Sequence, residues 1–275
     1  MNRKVGIALG GGAAKGFAHI GVLEIMDKEH IPIDMIAGTS AGSIVGALYA
    51  QGMSAARIKE IVLEMDWFKW VQLVDISIPK TGFLAGKKIK ELLKSIIGDV
   101  EFADLKMPFA CTATDIMTGE EIIINKGSVL EAVRASIAVP VVFAASRYKE
   151  RFLVDGGLVD QVPVDVIKDM NADITIAVNV TPRISSIKQR IYIDEAMSYN
   201  PPVNKSPNIL TIMMNYMNIM NSQAAEASLK KADIIIEPRL AGIGFTDFKK
   251  AEQCILEGEF AGIDALLDIK KLLAC

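Results

Sequence analysis

Three short motifs carry residues whose types and spacing could do chemistry. Gly38-Thr39-Ser40-Ala41-Gly42 fits the G-x-S-x-G pattern of a serine nucleophile held on a sharp turn. Met35 to Ala37 before it is strand-like, and Ser43 to Ala50 after it is helix-like. A turn this tight strains the backbone at Ser40. It lets Gly38 and Gly42 admit close neighbours and aims the hydroxyl over a helix N-terminus, where unpaired N–H groups favour an oxyanion.

The second motif is Gly10-Gly11-Gly12-Ala13-Ala14-Lys15-Gly16. A glycine run between a strand and a helix offers backbone N–H groups with no side chain in the way. Two nucleotide-binding patterns compete for it. The P-loop fails because Phe17-Ala18 follows Gly16 where Lys-Ser/Thr is needed. The dinucleotide G-x-G-x-x-G pattern fits only in part. Counted from Gly10, Lys15 stands at the third glycine; counted from Gly11, Ala13 stands at the second. No acidic ribose partner closes the second strand, where Gly38-Thr39-Ser40 sits instead. An oxyanion hole is therefore the better reading. Lys15 either adds charge there or is solvated.

Asp155-Gly156-Gly157 is the third motif, at the end of the strand Phe152 to Val154. Its plain alternative is a turn, since Asp-Gly is a common hairpin signal. A serine nucleophile needs a base. The chain has two histidines, His19 and His30, and neither follows Asp155, so the chain order Ser…Asp…His does not occur. Either His19 serves as base or a carboxylate does so directly. An aspartate is a weak base at its usual pKa of about 3.9, and burial would raise it.

Together these blocks resemble the bacterial patatin-like phospholipases. Gly10 to Gly16 is similar to the family's oxyanion motif, Gly38 to Gly42 to its nucleophile elbow, and Asp155-Gly156-Gly157 to its catalytic D-G-[GA]. Ala135-Ser136-Ile137-Ala138-Val139-Pro140 is similar to the block before that aspartate. The resemblance spans about residues 5 to 165. It implies a three-layer α/β/α fold with a mostly parallel sheet. It further implies a Ser40–Asp155 dyad, and cleavage of acyl esters in lipids without a metal or other cofactor. N–H groups of Gly11 and Gly12, with Gly10 or Ala13, would hold the oxyanion. Lys15 stands where an arginine is common. An acyltransferase using the same dyad, and a non-catalytic regulatory module on the same fold, are the alternatives.

The rest of the chain must position these residues. It has 275 residues, 51% hydrophobic and 23% charged, and a mean hydropathy of +0.32. A large buried core is expected, and one domain over 1–275. Its motif-bearing core runs to about residue 180, with a lid and C-terminal helical region over about 183–275. Net charge is −3, without the basic excess that nucleic-acid binding calls for. Three cysteines without ligand spacing argue for a reducing compartment. No apolar run approaches the ~18 residues of a membrane span, and the N-terminal run is too short for a signal peptide. A cytoplasmic protein is expected; peripheral membrane contact and self-association are left open.

Periodicity predicts strands at Lys4 to Leu9, Met35 to Thr39, Phe109 to Asp115, Glu120 to Asn125, Phe152 to Val154, Ile174 to Val180 and Ile234 to Glu237. Helices are expected over about Gly16 to Glu29, Ser43 to Gln51, Ala55 to Trp70, Gly86 to Ile97, Ser128 to Ala135 and Phe248 to Leu273. Arg183 to Pro207 is polar and carries Pro201-Pro202, which suits a lid. Ile209 to Met220 follows, with Met213, Met214, Met217 and Met220. Its methionine face is expected to line an acyl-binding cleft or a subunit face, or to be ordinary core. Asn215, Asn218 and Asn221 form a polar stripe on the same helix.

Overall fold

The computed structural model describes residues 3–65, 83–140, 142–181 and 209–274. Five strands lie side by side in parallel: β3 (Phe109–Asp115), β2 (Met35–Thr39), β1 (Val5–Leu9), β7 (Ile174–Val178) and β8 (Ile234–Ile236). Three more join through antiparallel pairings. β6 (Arg151–Asp155) joins β3, β5 (Ser146–Tyr148) joins β6, and β4 (Glu121–Ile124) pairs with β3 off the main path. The sheet is therefore mixed, with a parallel centre and an antiparallel flank.

The two sheet faces differ in side-chain size, following the two-residue period of a strand. Val5, Ile7, Leu9 and Ile36 pack into the larger core. That core also takes α1 (Ala18–Lys28), α2 (Ala41–Ala50) and α3 (Ala55–Glu64), as well as α8 (Ala251–Ala274). The opposite face carries Ala8, Ala37, Ala110 and Ala177 in register across four strands. This row of small residues faces α6 (Val164–Asp169) and α7 (Ile209–Leu229). α4 (Phe83–Ile97) and α5 (Val129–Ser136) complete the helices. Ser128 caps α5 by accepting a bond from the Glu131 N–H at 3.3 Å.

α8 crosses α1 at backbone contact. A Cβ on Gly21 would stand 1.9 Å from the Ile255 carbonyl oxygen, and one on Gly258 would stand 2.0 Å from that of Ala18. Any side chain at either position would force the helices apart. The C-terminal helix is thereby fixed beneath the loop that follows β1.

Several expectations need correction. The helix expected over Gly16 to Glu29 is a 3-10 turn, Ala13–Phe17, leading into α1. α2 begins at Ala41, directly after Ser40. α3 ends at Glu64, because Met65 is extended; the expected continuation to Trp70 lies outside the described residues. The helix at Ile209 runs on to Leu229. The β5–β6 hairpin was not anticipated. Its turn uses Lys149 at φ 53° rather than glycine or asparagine, so the usual turn signal is missing. The lid expected over Arg183 to Pro207 also lies outside the described residues. No helix among the described residues is long and apolar enough to cross a membrane.

Candidate active site

The parallel register sets Leu9 beside both Gly38 and Val178, so β1, β2 and β7 end together. Loops leaving the C-terminal ends of parallel strands form the usual crevice of such sheets. Ser40 is the turn between β2 and α2, at φ 51° and ψ −120°. A non-glycine residue with positive φ is strained and must be held in place. Here the Ser40 N–H donates to Ser136 Oγ at 2.9 Å. The Ser40 carbonyl accepts from the Ser43 N–H at 2.9 Å and from Ser43 Oγ at 2.6 Å. Gly42 lets the helix start press onto β1; a Cβ there would lie 2.1 Å from the Leu9 carbonyl oxygen. Gly38 abuts the Gly42 carbonyl, and Gly16 abuts Ala41.

Asp155 ends β6 opposite Ala113. It begins a 3-10 turn, not a hairpin. Its N–H donates to the Ala138 carbonyl at 3.0 Å, and its carbonyl accepts from Thr114 Oγ1 at 2.9 Å. The segment 135–140 thus touches both partners, holding Ser40 through Ser136 and Asp155 through Ala138. Gly157 N–H donates to Asp155 Oδ1 at 2.8 Å, and Gly156 packs against Thr112. Asp155 Oδ2 is buried without a hydrogen bond of full geometry. Burial pushes the carboxyl up to about 6, while the neighbouring Ser40 hydroxyl and the Gly157 N–H pull it the other way. Ser40 and Asp155 are therefore close neighbours.

His19 does something else. Its Nε2–H donates to the Gly10 carbonyl at 2.7 Å, and the ring has no exposure. Burial drives its pKa down to about 4, against the opposing effect of that bond. It props the glycine loop from beneath with the nitrogen that would otherwise carry a proton elsewhere.

Hydrogen bonding also sorts the loop's N–H groups. Gly10 N–H donates to the Val178 carbonyl and Gly11 N–H to the Gln161 carbonyl, both at 3.0 Å. Neither is free to meet an oxyanion, which corrects the assignment of Gly10 and Gly11 to that role. Gly12 and Ala13 have no such partner among the described residues. Gly12 precedes the 3-10 turn and Ala13 opens it, where orphan N–H groups belong. Ala13 has φ 48°. Lys15 is half-buried, and desolvation lowers its pKa.

Gln161 was not singled out from the sequence. Its buried amide Nε2 donates to the Gly11 carbonyl at 2.7 Å and to Thr181 Oγ1 at 2.6 Å. Thr181 Oγ1 reaches the same carbonyl at 3.1 Å. Nothing in its local sequence marks it; only the fold brings it under the loop.

Two cavities meet at Ser40. One, of about 430 Å³, is the more polar of the two: Lys15, Asp155, Gln161, Asn215, Asn218 and Asn221 line it together with the apolar Val139, Met217, Ile243 and Phe245. The other, of about 110 Å³, is apolar and lies between α2 and α3. α7 therefore turns mainly its asparagine stripe toward Ser40, with buried Met217 beside it. Met220 is exposed, and the side chains of Met213 and Met214 lie outside the described residues. Among the described side chains of the helix, the three asparagines share this wall with one of the expected methionines, Met217.

Residues 7–168 match the family described as patatin-like phospholipase. The chain belongs to the patatin-like phospholipase family. A similar NTE family protein of Mycobacterium tuberculosis, itself uncharacterised, is 37% identical over 183 residues, covering 64% of this chain and 49% of that relative. Lysophospholipase NTE1 of Meyerozyma guilliermondii is 29% identical over 268 residues, covering 92% of this chain and 18% of that protein. The chain thus spans about half the length or less of these relatives. Among solved structures, VipD from Legionella pneumophila shares the fold, with a TM-score of 0.55 at 13% identity over 98% of this chain and 67% of that one.

Proposed function

We propose that this chain is a lipid acyl hydrolase in which Ser40 is the nucleophile and Asp155 the base. The observation that carries the reading is the pairing itself. A strained serine and a buried carboxylate with a raised pKa face one another where a polar and an apolar cavity join. Ser40 Oγ attacks the ester carbonyl carbon while Asp155 takes its proton. The carbonyl oxygen becomes an oxyanion and accepts from the Gly12 and Ala13 N–H groups. The intermediate collapses, the alcohol leaves with the proton from Asp155, and the acyl group stays on Ser40. Asp155 then deprotonates water, which attacks the acyl-enzyme; the proton returns from Asp155 to Ser40 Oγ as the fatty acid leaves.

The polar cavity suits the alcohol part of a phospholipid, a lysophospholipid or a simpler ester. Its amides supply donors and acceptors, and Lys15 supplies a cation beside them. The test is labelling by a fluorophosphonate probe together with hydrolysis of a phospholipid and lysophospholipid panel. Ser40→Ala should lose both while keeping its circular dichroism spectrum. Labelling that persists in Ser40→Ala would refute the nucleophile.

A further inference from the structure

The apolar cavity has a depth as well as a chemistry. α2 leads away from Ser40, and Ile44, Val45 and Leu48 lie on the cavity wall along it. At 1.5 Å per residue, Leu48 stands about 10 Å beyond the helix start at Ala41. Ile58 and Ile61 of α3 line the same cavity. Leu48 and Ile58 are 2% and 0% exposed, so this end is built from packed core. No lining side chain among the described residues is charged. Such walls cannot satisfy a polar headgroup, since each unpaired polar atom brought there would lose its hydration.

We propose that this cavity is the acyl berth, and that Leu48 and Ile58 set the length of chain it accepts. The inference rests on Ser40 as nucleophile for its orientation, with the acyl carbon at the cavity mouth; that the cavity takes an acyl chain rests on its apolar lining. A chain shorter than the berth leaves apolar surface unburied. A longer one must displace close-packed side chains, which costs free energy. Preference should therefore rise with chain length and then fall, with its maximum at medium chains.

The experiment uses nitrophenyl butyrate, octanoate and palmitate with the wild-type chain, Leu48→Ala and Ile44→Trp. Leu48→Ala removes the floor and should raise the palmitate-to-octanoate ratio at least fivefold. Ile44 is half-buried one turn from the nucleophile, and tryptophan there should lower the octanoate-to-butyrate ratio at least fivefold. In parallel, saturated fatty acids of increasing length compete for Ser40→Ala against a fluorescent fatty acid. That titration needs no turnover. If no ester is hydrolysed but binding shows the same length optimum, the berth stands and the nucleophile reading falls. If esters are hydrolysed and both variants keep the wild-type profile, the gauge is overturned. Should Leu48→Ala not fold, Ile44→Trp with the titration decides alone.

Discussion

Asp155 and Asp160 stand five residues apart on either side of one 3-10 turn, and both are buried. Desolvation pushes both carboxyls well above the usual aspartate range. Their surroundings differ. Asp155 borders the polar cavity and neighbours the Ser40 hydroxyl, with one oxygen left over. Asp160 borders neither cavity at Ser40. It accepts from Ser228 Oγ at 3.1 Å and is held up further by the charge of Glu121, with which it shares a hydrogen bond. Its backbone carbonyl accepts from Thr39 Oγ1 at 3.0 Å, tying the turn to the end of β2. A displaced pKa marks burial alone; what sets Asp155 apart is the unpaired oxygen and the serine hydroxyl beside it, the two features on which its proposed role as base rests.

The largest expected effect breaks this comparison directly. Asp155→Asn keeps the shape but cannot accept a proton, and kcat should fall by about 10³-fold or more. Asp160→Asn should stay within about tenfold of the wild type, since its role is to hold a turn. Steady-state kinetics of the two purified variants on one ester decide it. Equal losses would show that the turn as a whole, rather than Asp155, is what activity requires.

The pH profile sharpens the same contrast. Asp155 must be ionised to act as base, so kcat/KM should rise with pH and level off above about 6. Asp160→Asn should leave that inflection in place. Stability runs the other way. The folded pKa of Asp155 lies above its unfolded value of 3.8, so the folded state binds the proton more tightly. No penalty exists below pH 3.8; it grows as pH rises and is complete above about 6. A shift of this size corresponds to about 3 kcal/mol at most. Asp155→Asn should therefore be more stable than the wild type at pH 8, with the advantage vanishing near pH 4. Urea denaturation at the two pH values measures it. A variant less stable at pH 8 would mean that the Gly157 bond outweighs the desolvation.

Each of the three motifs alone is an ordinary turn signal, and what made the arrangement legible in the sequence is their occurrence together at the ends of apolar, strand-like runs. β1, β2 and β7 could be read from their apolar runs, and Ser40 from the strand before it and the helix after it. What could not be read depends on pairing between distant segments. Which N–H groups of the glycine loop remain free is decided by Val178 and Gln161, more than 140 residues away in sequence. The bridge from Ser136 and Ala138 to Ser40 and Asp155 is likewise tertiary. The methionines of α7 are its most conspicuous sequence feature, yet the face it turns to the cavity follows from how Ala225 and Leu229 seat it on the alanine row. Composition gives a helix its two faces; packing chooses which one looks inward.

The smallest effect concerns His19, the residue that competes with Asp155 for the role of base. Its Nε2–H is committed to the Gly10 carbonyl, so it holds the loop rather than the serine proton. With a pKa near 4 it is neutral wherever Asp155 is ionised, so it adds no second inflection to the profile above about 6. His19→Ala removes one hydrogen bond and opens a buried space beneath the loop. Stability should fall by about 2 kcal/mol, combining the lost bond with the cavity. Turnover should fall by about tenfold or less, through looser placement of the Gly12 and Ala13 N–H groups. His19→Gln can donate to the same carbonyl and should recover part of both losses. The decisive measurement is the pH profile of His19→Ala. If its inflection near 6 survives at reduced height, Asp155 is the titrating base and His19 a support. If the inflection disappears with the imidazole, the proton passes through His19, and the contrast between the two aspartates no longer explains the chemistry.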